Sequence, residues 1–387
     1  MNASETVKKS VPLSINPSAC IDVRAESRVC GACVDICPEE CLKISGRSAQ
    51  VDSASCVECG LCVTACPSSA VSLGSYLEGR IADIIDMEIS RSPTVSLYCS
   101  KTAYSGGERQ KGLFHCLGVL GAGRLVNMVM SEAESVTLNG ACRKCVIVNG
   151  ERQIQQAVDM ANNTTEKLGR GRCIRFDACA PENVREKEIA EASSRRGFLF
   201  GMARMAAKQA VSKIKVYNTS ETSNGKLAPI PLPTRKRMLN TIVKNAGPMQ
   251  FAFTESDSPF RLIRISSSCV LCNACSTYCP TGALTLRDYP DRVALELTSA
   301  SCVKCQGCAK LCPENAISYA DGFSAEEALA ERPALMAEKG KAQCVTCQKP
   351  FIPSSDGQAQ CQGCMKVDKF QSHLFSMYIN NRRSHES

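Results

Sequence analysis

The stretch that decides the fold reads Cys269-Val270-Leu271-Cys272-Asn273-Ala274-Cys275-Ser276-Thr277-Tyr278-Cys279-Pro280, and its pattern returns about twenty residues later as Cys302-x2-Cys305-x2-Cys308-x3-Cys312-Pro313. Three thiolates spaced in this way wrap a tight loop around a group of metal atoms, and the fourth follows on a short helical turn. Proline directly after the fourth cysteine ends the loop and removes a backbone donor that would otherwise need a partner. Structural zinc sites and disulfides are the alternatives, and this tandem spacing suits neither.

Working outward, 27 cysteines in 387 residues are far too many for the framework of a small secreted disulfide domain. Their CxxC grouping indicates metal, and oxygen-sensitive metal clusters indicate a reducing, cytoplasmic compartment. The first residues carry two lysines with no apolar run behind them, so they do not read as a secretory signal. No stretch of the sequence approaches the apolar length of a membrane span. A net charge of +8 permits an acidic partner or an anionic surface without identifying either. The length suits two or three domains.

The tandem pattern also opens the chain. Cys56-x2-Cys59-x2-Cys62-x3-Cys66-Pro67 keeps the spacing in full, whereas the run before it is Cys20-x9-Cys30-x2-Cys33-x3-Cys37-Pro38, with the first cysteine displaced by a longer loop. Loop length adds closure entropy only slowly, so the change is tolerable. Both regions, 11–75 and 261–322, resemble bacterial dicluster ferredoxins, in which the fourth cysteine of each run ligates the other run's [4Fe-4S] cluster. That resemblance implies four clusters. Their ligand sets would be Cys20, Cys30, Cys33 with Cys66; Cys56, Cys59, Cys62 with Cys37; Cys269, Cys272, Cys275 with Cys312; and Cys302, Cys305, Cys308 with Cys279.

Cys41 competes with Cys20 for the first set. Aligning Pro38, Pro67, Pro280 and Pro313 puts Cys41 opposite Ala70, Ala283 and Ala316, a small buried position beneath a cluster, which favours Cys20 as the ligand. Short stretches of strand character, Gln50–Asp52, Arg261–Ile265 and Val293–Leu297, precede ligand runs and fit a repeated hairpin-and-helix module.

Between the modules, residues 93–180 alternate strands and helices. Val95–Cys99, Gly112–His115, Ser135–Leu138 and Cys173–Phe176 read as strands, and Leu117–Met130 and Glu151–Leu168 have helical apolar spacing. That order predicts a parallel sheet. Cys99, Cys116, Cys142 and Cys145 fall just past strand ends, the edge where open parallel sheets gather ligands. These four, or three of them with His115, could hold a further iron–sulfur cluster or zinc, or act as a redox dithiol; simple burial of small residues is the alternative. The stretch is similar to the small iron–sulfur (delta) subunits that link hydrogenases to heterodisulfide reductases. Cys173 and Cys179 flank the last strand with no assigned role. Gly118–Gly123 lacks the spacing of a dinucleotide loop and reads as a helix start.

Residues 181–260 form a basic helical connector and a Pro/Ser/Thr linker. Ser194-Arg195-Arg196-Gly197-Phe198-Leu199 looks like a twin-arginine motif, but it lies deep in the chain, and the following GMARMAAKQAVSKIKV is amphipathic and basic, which predicts a helix. Ser220–Thr234 reads as a semi-extended linker able to bring the two modules side by side. Near the end, Cys344-x2-Cys347-x13-Cys361-x2-Cys364 within 340–368 suits a tetrahedral zinc ribbon, with a rubredoxin-like iron as the alternative.

The fold class expected is α+β: two dicluster ferredoxin-like modules flanking an α/β parallel-sheet domain, with a C-terminal zinc-ribbon-like segment. The assembly resembles polyferredoxin-type electron-transfer subunits of anaerobic oxidoreductases. The resemblance implies a redox-protein donor, a catalytic oxidoreductase subunit as partner, and membrane association only through such a partner. An enzyme acting at the α/β cysteines is one rival. A redox-responsive nucleic-acid regulator is another, disfavoured because the basic stretch lacks stacking aromatic clusters, so no nucleic acid is expected.

Overall fold

The computed structural model describes residues 13–102, 112–145, 147, 149–179, 214–218, 227–245, 252–254, 258–353 and 357–383. Most of the twin-arginine-like stretch and the basic segment after it lie outside them.

Each ferredoxin-type module is a pseudo-symmetric pair of short strands closed by a hairpin. In the first, Leu13–Ile15 pairs antiparallel with Val71–Leu73, setting Leu13 opposite Leu73 and Ile15 opposite Val71, all four buried. In the second, Ile263–Ile265 pairs in the same way with Ile317–Tyr319. The hairpins are Leu42–Ser45 with Ser48–Asp52, and Leu284–Asp288 with Arg292–Leu297.

The fourfold repeat is visible in the backbone. After the second cysteine of each run the chain takes a left-handed residue, at Gly31, Gly60, Asn273 and Gln306, with φ of 67°, 74°, 68° and 62°. A short helix follows each one: Ala32–Asp35, Leu61–Ala65, Ala274–Tyr278 and Gly307–Lys310. Glycine and asparagine meet this requirement at little cost, whereas Gln306 carries roughly 1–2 kcal/mol of backbone strain.

Each module gains a third strand from outside its repeat. Ile214–Asn218 adds to Ser48–Asp52, and Ala334–Gly340 adds to Arg292–Leu297. The first of these corrects a sequence expectation: residues 214–216 end the basic stretch as a strand, because the edge of Ser48–Asp52 offers unpaired backbone groups to any extended segment that reaches it.

The middle domain is a four-stranded parallel sheet in the order Leu113–Phe114, Thr94–Cys99, Ser135–Asn139, Ile174–Asp177. Alternation along the two central strands buries Val95, Leu97, Val136 and Leu138 to 1 % exposure or less, each contributing roughly 1.5–3 kcal/mol. Helices Ser75–Arg91, Ala122–Ser131 and Gly150–Lys167 pack with the sheet. The first of them leads in from the ferredoxin module through Ile81 and Ile85 and has no counterpart in the sequence reading. The expected helix 117–130 is divided: Leu117–Val119 is a single 3-10 turn, and the α-helix starts at Ala122.

Residues 227–233 are extended, as expected of the linker, but they are anchored. Ile230 donates to the Pro280 carbonyl at 2.7 Å, and Arg24 of the first module bonds the Leu227 and Ala228 carbonyls. Helix Thr234–Asn245 then packs on Ala122–Ser131, and Asn240 reaches the Ala300 carbonyl at 2.9 Å, so the connector ties the sheet domain to the second module. One apolar core runs through both modules and the sheet. A long helix, Gln362–Arg383, starts within the last CxxC and includes Cys364. Among the described residues no helix is long and apolar enough to cross a membrane.

Candidate functional site

The cysteine runs cross over in space. Cys20, Cys30, Cys33 and Cys66 line one cavity, and Cys37, Cys56, Cys59 and Cys62 line a second. In the other module Cys279, Cys302, Cys305 and Cys308 form a third, and Cys269, Cys272, Cys275 and Cys312 a fourth. They are quartets one to four below. Burial pushes Cys20 up to about 11 and Cys275 up to about 12, so these two thiols hold their protons until a metal displaces them. Cys272 alone of these sixteen is exposed.

Local structure gives Cys20 the setting of a ligand. A 3-10 turn, Pro17–Ala19, closes on it through Cys20 N–H to Pro17 O, and Ser299–Ser301 does the same for Cys302. The longer loop is held by Asp22, only 4 % exposed. Its carboxylate accepts from the N–H groups of Val29, Cys30 and Gly31 at 2.8, 2.5 and 2.9 Å.

Cys41 sits in the wall of the second cavity, as Ala70 and Ala283 sit in the walls of the first and third. The repeat alignment thus describes its place, but its sulfur lies 3.5 Å from Cys37 Sγ, which makes it more than an apolar filler. That contact draws the Cys37 thiol down and pushes the Cys41 thiol up. Since Cys41 faces the second quartet, it stands away from the place Cys20 takes in the first. Cys20→Ser should cost one cluster or convert it to a three-iron form, while Cys41→Ala should keep full iron content. Iron analysis with EPR checks both, and the reverse pattern would refute the assignment.

The middle cysteines converge. Cys99 ends its strand, Cys116 follows Leu113–Phe114, and Cys142 and Cys145 bracket the 3-10 turn after Ser135–Asn139. Burial raises the Cys116 and Cys142 thiols to about 12; Cys142 and Cys145 add to the effect at Cys116, and Cys99 and Cys145 at Cys142. His115 is exposed while Cys116 is buried. Cys173 lies at the opposite end of its strand, and Cys179 is exposed.

The cysteine groups adjoin one another. Cys116 forms a buried cluster with Cys59 and Leu61. Two glycines allow that approach: a Cβ on Gly60 would stand 2.3 Å from Val119 Cγ1, and one on Gly118 would stand 2.6 Å from Leu61 Cδ2. Cys62, raised by burial, also feels the charge of Cys33, linking quartets two and one. Between modules, Ile21 beside Cys20 packs on Gly307, Lys310 donates to Val29 O at 2.8 Å, and Arg24 donates to Thr277 O at 3.2 Å. Cys308, pushed up to about 12 by burial, feels Cys275 across quartets three and four.

Cys344, Cys347, Cys361 and Cys364 differ in scale. Among the described residues only these four bring their ligand atoms within 4.8 Å of one another. That spread fits one tetrahedral ion, whose thiolates share a metal at about 2.3 Å each, whereas the wider quartets fit thiolates on separate irons. Strands Ala342–Gln343 and Pro350–Phe351 pair antiparallel beside these cysteines, and the Cys361 N–H points at Cys344 Sγ at 3.3 Å and helps lower that thiol to about 6.

Comparison with known families agrees with the two modules. A 4Fe-4S dicluster domain family matches residues 28–70, from Cys30 to Cys66 and leaving out Cys20, and a second 4Fe-4S dicluster domain family matches residues 248–317, with all eight cysteines of that module. Comparison with curated proteins finds no match. The chain carries two ferredoxin-type dicluster domains, the equipment of iron–sulfur electron transfer.

Proposed function

We propose that this chain is an electron-transfer subunit that carries single electrons through four [4Fe-4S] clusters, held by the four quartets, between a redox-protein donor and the catalytic subunit of an oxidoreductase. The observation that carries the reading is continuity: the middle cysteines adjoin quartet two, then quartets one, three and four follow without a gap. Bound clusters supply one-electron storage at potentials set by their surroundings. The protein's own part is spacing, burial and charge.

In this reading Cys99, Cys116, Cys142 and Cys145 are the end of the file and hold a further iron–sulfur cluster. Their place at the sheet edge also supports the likeness to the delta subunits that join hydrogenases to partner enzymes. The compact ribbon suits zinc in a structural or docking role. A second reading, favoured by the same sheet-edge position, makes the middle cysteines an active site fed by the ferredoxin modules. Turnover of a small molecule by the purified chain with a reduced dye would select it.

Anaerobically prepared protein should contain about sixteen irons in cubane clusters from the ferredoxin runs, with any excess from the middle or ribbon cysteines. Iron analysis and Mössbauer spectra showing only two cubanes would overturn the four-cluster reading.

A further inference from the structure

The four ferredoxin cavities differ in charge. Among their lining residues, quartet one has Asp22, quartet two has Glu39 and Glu58, and quartet four has Glu314 as the charged groups other than the cysteines. Among the described residues, quartet three alone has basic lining residues, Arg261 and Lys304, and no lining carboxylate. Arg261 is 6 % exposed, with its guanidinium 3.9 Å from the Tyr319 ring centre, and Lys304 donates to Ser258 O at 2.6 Å, so neither cation is free to swing into water.

Two more cations stand behind that wall. Lys236, 7 % exposed, lies 4.2 Å from the Phe260 ring centre, and burial lowers it to about 8 while the charge of Cys302 opposes the fall. Arg24, also 7 % exposed, comes from the first module and is fixed by the carbonyls of Ser18, Leu227, Ala228 and Thr277, with Cys279 in its field. Neither Arg24 nor Lys236 has a carboxylate partner among the described residues.

A reduced cluster carries one more negative charge than an oxidised one, so fixed cations in a low-dielectric wall favour reduction and fixed carboxylates oppose it. We propose that Arg261, Lys304, Lys236 and Arg24 make the quartet of Cys279, Cys302, Cys305 and Cys308 the highest-potential cluster of the four, the place where the first electron to enter the protein comes to rest. This rests on the four-cluster reading above. Because Arg24 belongs to the other module, docking of the two modules is part of what sets this potential. An electron leaving the third cluster toward either neighbour then climbs, and a downstream partner must draw it off.

The test is an anaerobic redox titration followed by EPR, on the full chain and on variants, with iron content measured on every sample. The first signal to appear on reduction should be lost or altered by Cys305→Ser. Arg261→Gln should lower the midpoint of that same signal by the equivalent of about a tenfold change in its reduction constant, about 59 mV for a one-electron couple. Arg24→Gln should move the same signal in the same direction, and Arg261→Lys should restore it, while the other midpoints stay in place. Persistence of the first signal in Cys305→Ser, or a midpoint unmoved in both Arg261→Gln and Arg24→Gln at full iron content, would overturn the proposal. Should Arg261→Gln fail to load iron, Arg24→Gln and Arg261→Lys carry the test. A wild-type chain without four cubane signals would instead refute the four-cluster reading.

Discussion

Stripping iron anaerobically with a chelator should unfold both ferredoxin modules and leave the parallel sheet folded. The first module spans about sixty residues, a size at which a core alone rarely supplies more than about 3–5 kcal/mol. Its core includes Cys20, Cys33, Cys62 and Cys66 beside Leu13, Ile15, Leu42 and Val51, so ligation and packing are one event. Metal binding that organises such a site counts as folding energy, on the order of 10–16 kcal/mol in structural zinc peptides. The sheet domain has Val95, Leu97, Val136, Leu138, Leu125, Val126 and Ile154 at 1 % exposure or less, none of which depends on a ligand. Hydrogen exchange should show protection lost at 42–52 and 284–297 and kept at 94–99 and 135–139. Protection that disappears in all four segments together would contradict separate sources of stability.

The second large effect is expected where the first module meets the sheet domain. Gly60→Val should destabilise the protein by roughly 2–5 kcal/mol, adding a left-handed β-branched residue to an overpacked contact. Gly60 has a φ of 74°, and its missing Cβ would lie 2.3 Å from a Val119 methyl and 3.1 Å from the Val119 backbone, so relief requires the chain to move. Gly46→Val is the control: φ is 51°, but nothing stands within 4 Å. Denaturant unfolding of the two variants separates strain from collision, and equal losses would show that the contact with Val119 is not tight. Moving that contact also parts Cys59 from Cys116, so, on the proposal that the middle cysteines hold a cluster, stopped-flow reduction of that cluster should slow in Gly60→Val and not in Gly46→Val.

The cysteine runs were legible because ligation fixes spacing: a loop that must present three thiolates to one object leaves little freedom in the residues between. The strands of the parallel sheet were legible from their alternation with helical segments, and their ends placed Cys99, Cys116, Cys142 and Cys145 at one edge. Less visible were elements whose partners lie far away. Ile214–Asn218 is a strand because Ser48–Asp52 has an open edge, and nothing within 201–216 announces that. Ser75–Arg91 does carry Leu77, Ile81, Ile85 and Ile89 at helical spacing, a signal overlooked beside the cysteine pattern. Residues 227–233 read as a linker by composition, yet their carbonyls are bonded by Arg24, a residue some two hundred positions earlier. The charge contrast among the four quartets was equally hidden, since Arg24 and Lys236 reach quartet three from outside its own motif.

Cys272, the exposed thiol of quartet four, also sets an order of vulnerability. Quartets one and two lie against the sheet domain or the second module, and their cysteines are buried or half-buried, while quartet four opens to solvent through Cys272. Dioxygen diffusing in from water meets that end first. On the four-cluster reading proposed above, oxidative loss of iron should therefore begin at quartet four, with the buried and half-buried quartets one and two lost later.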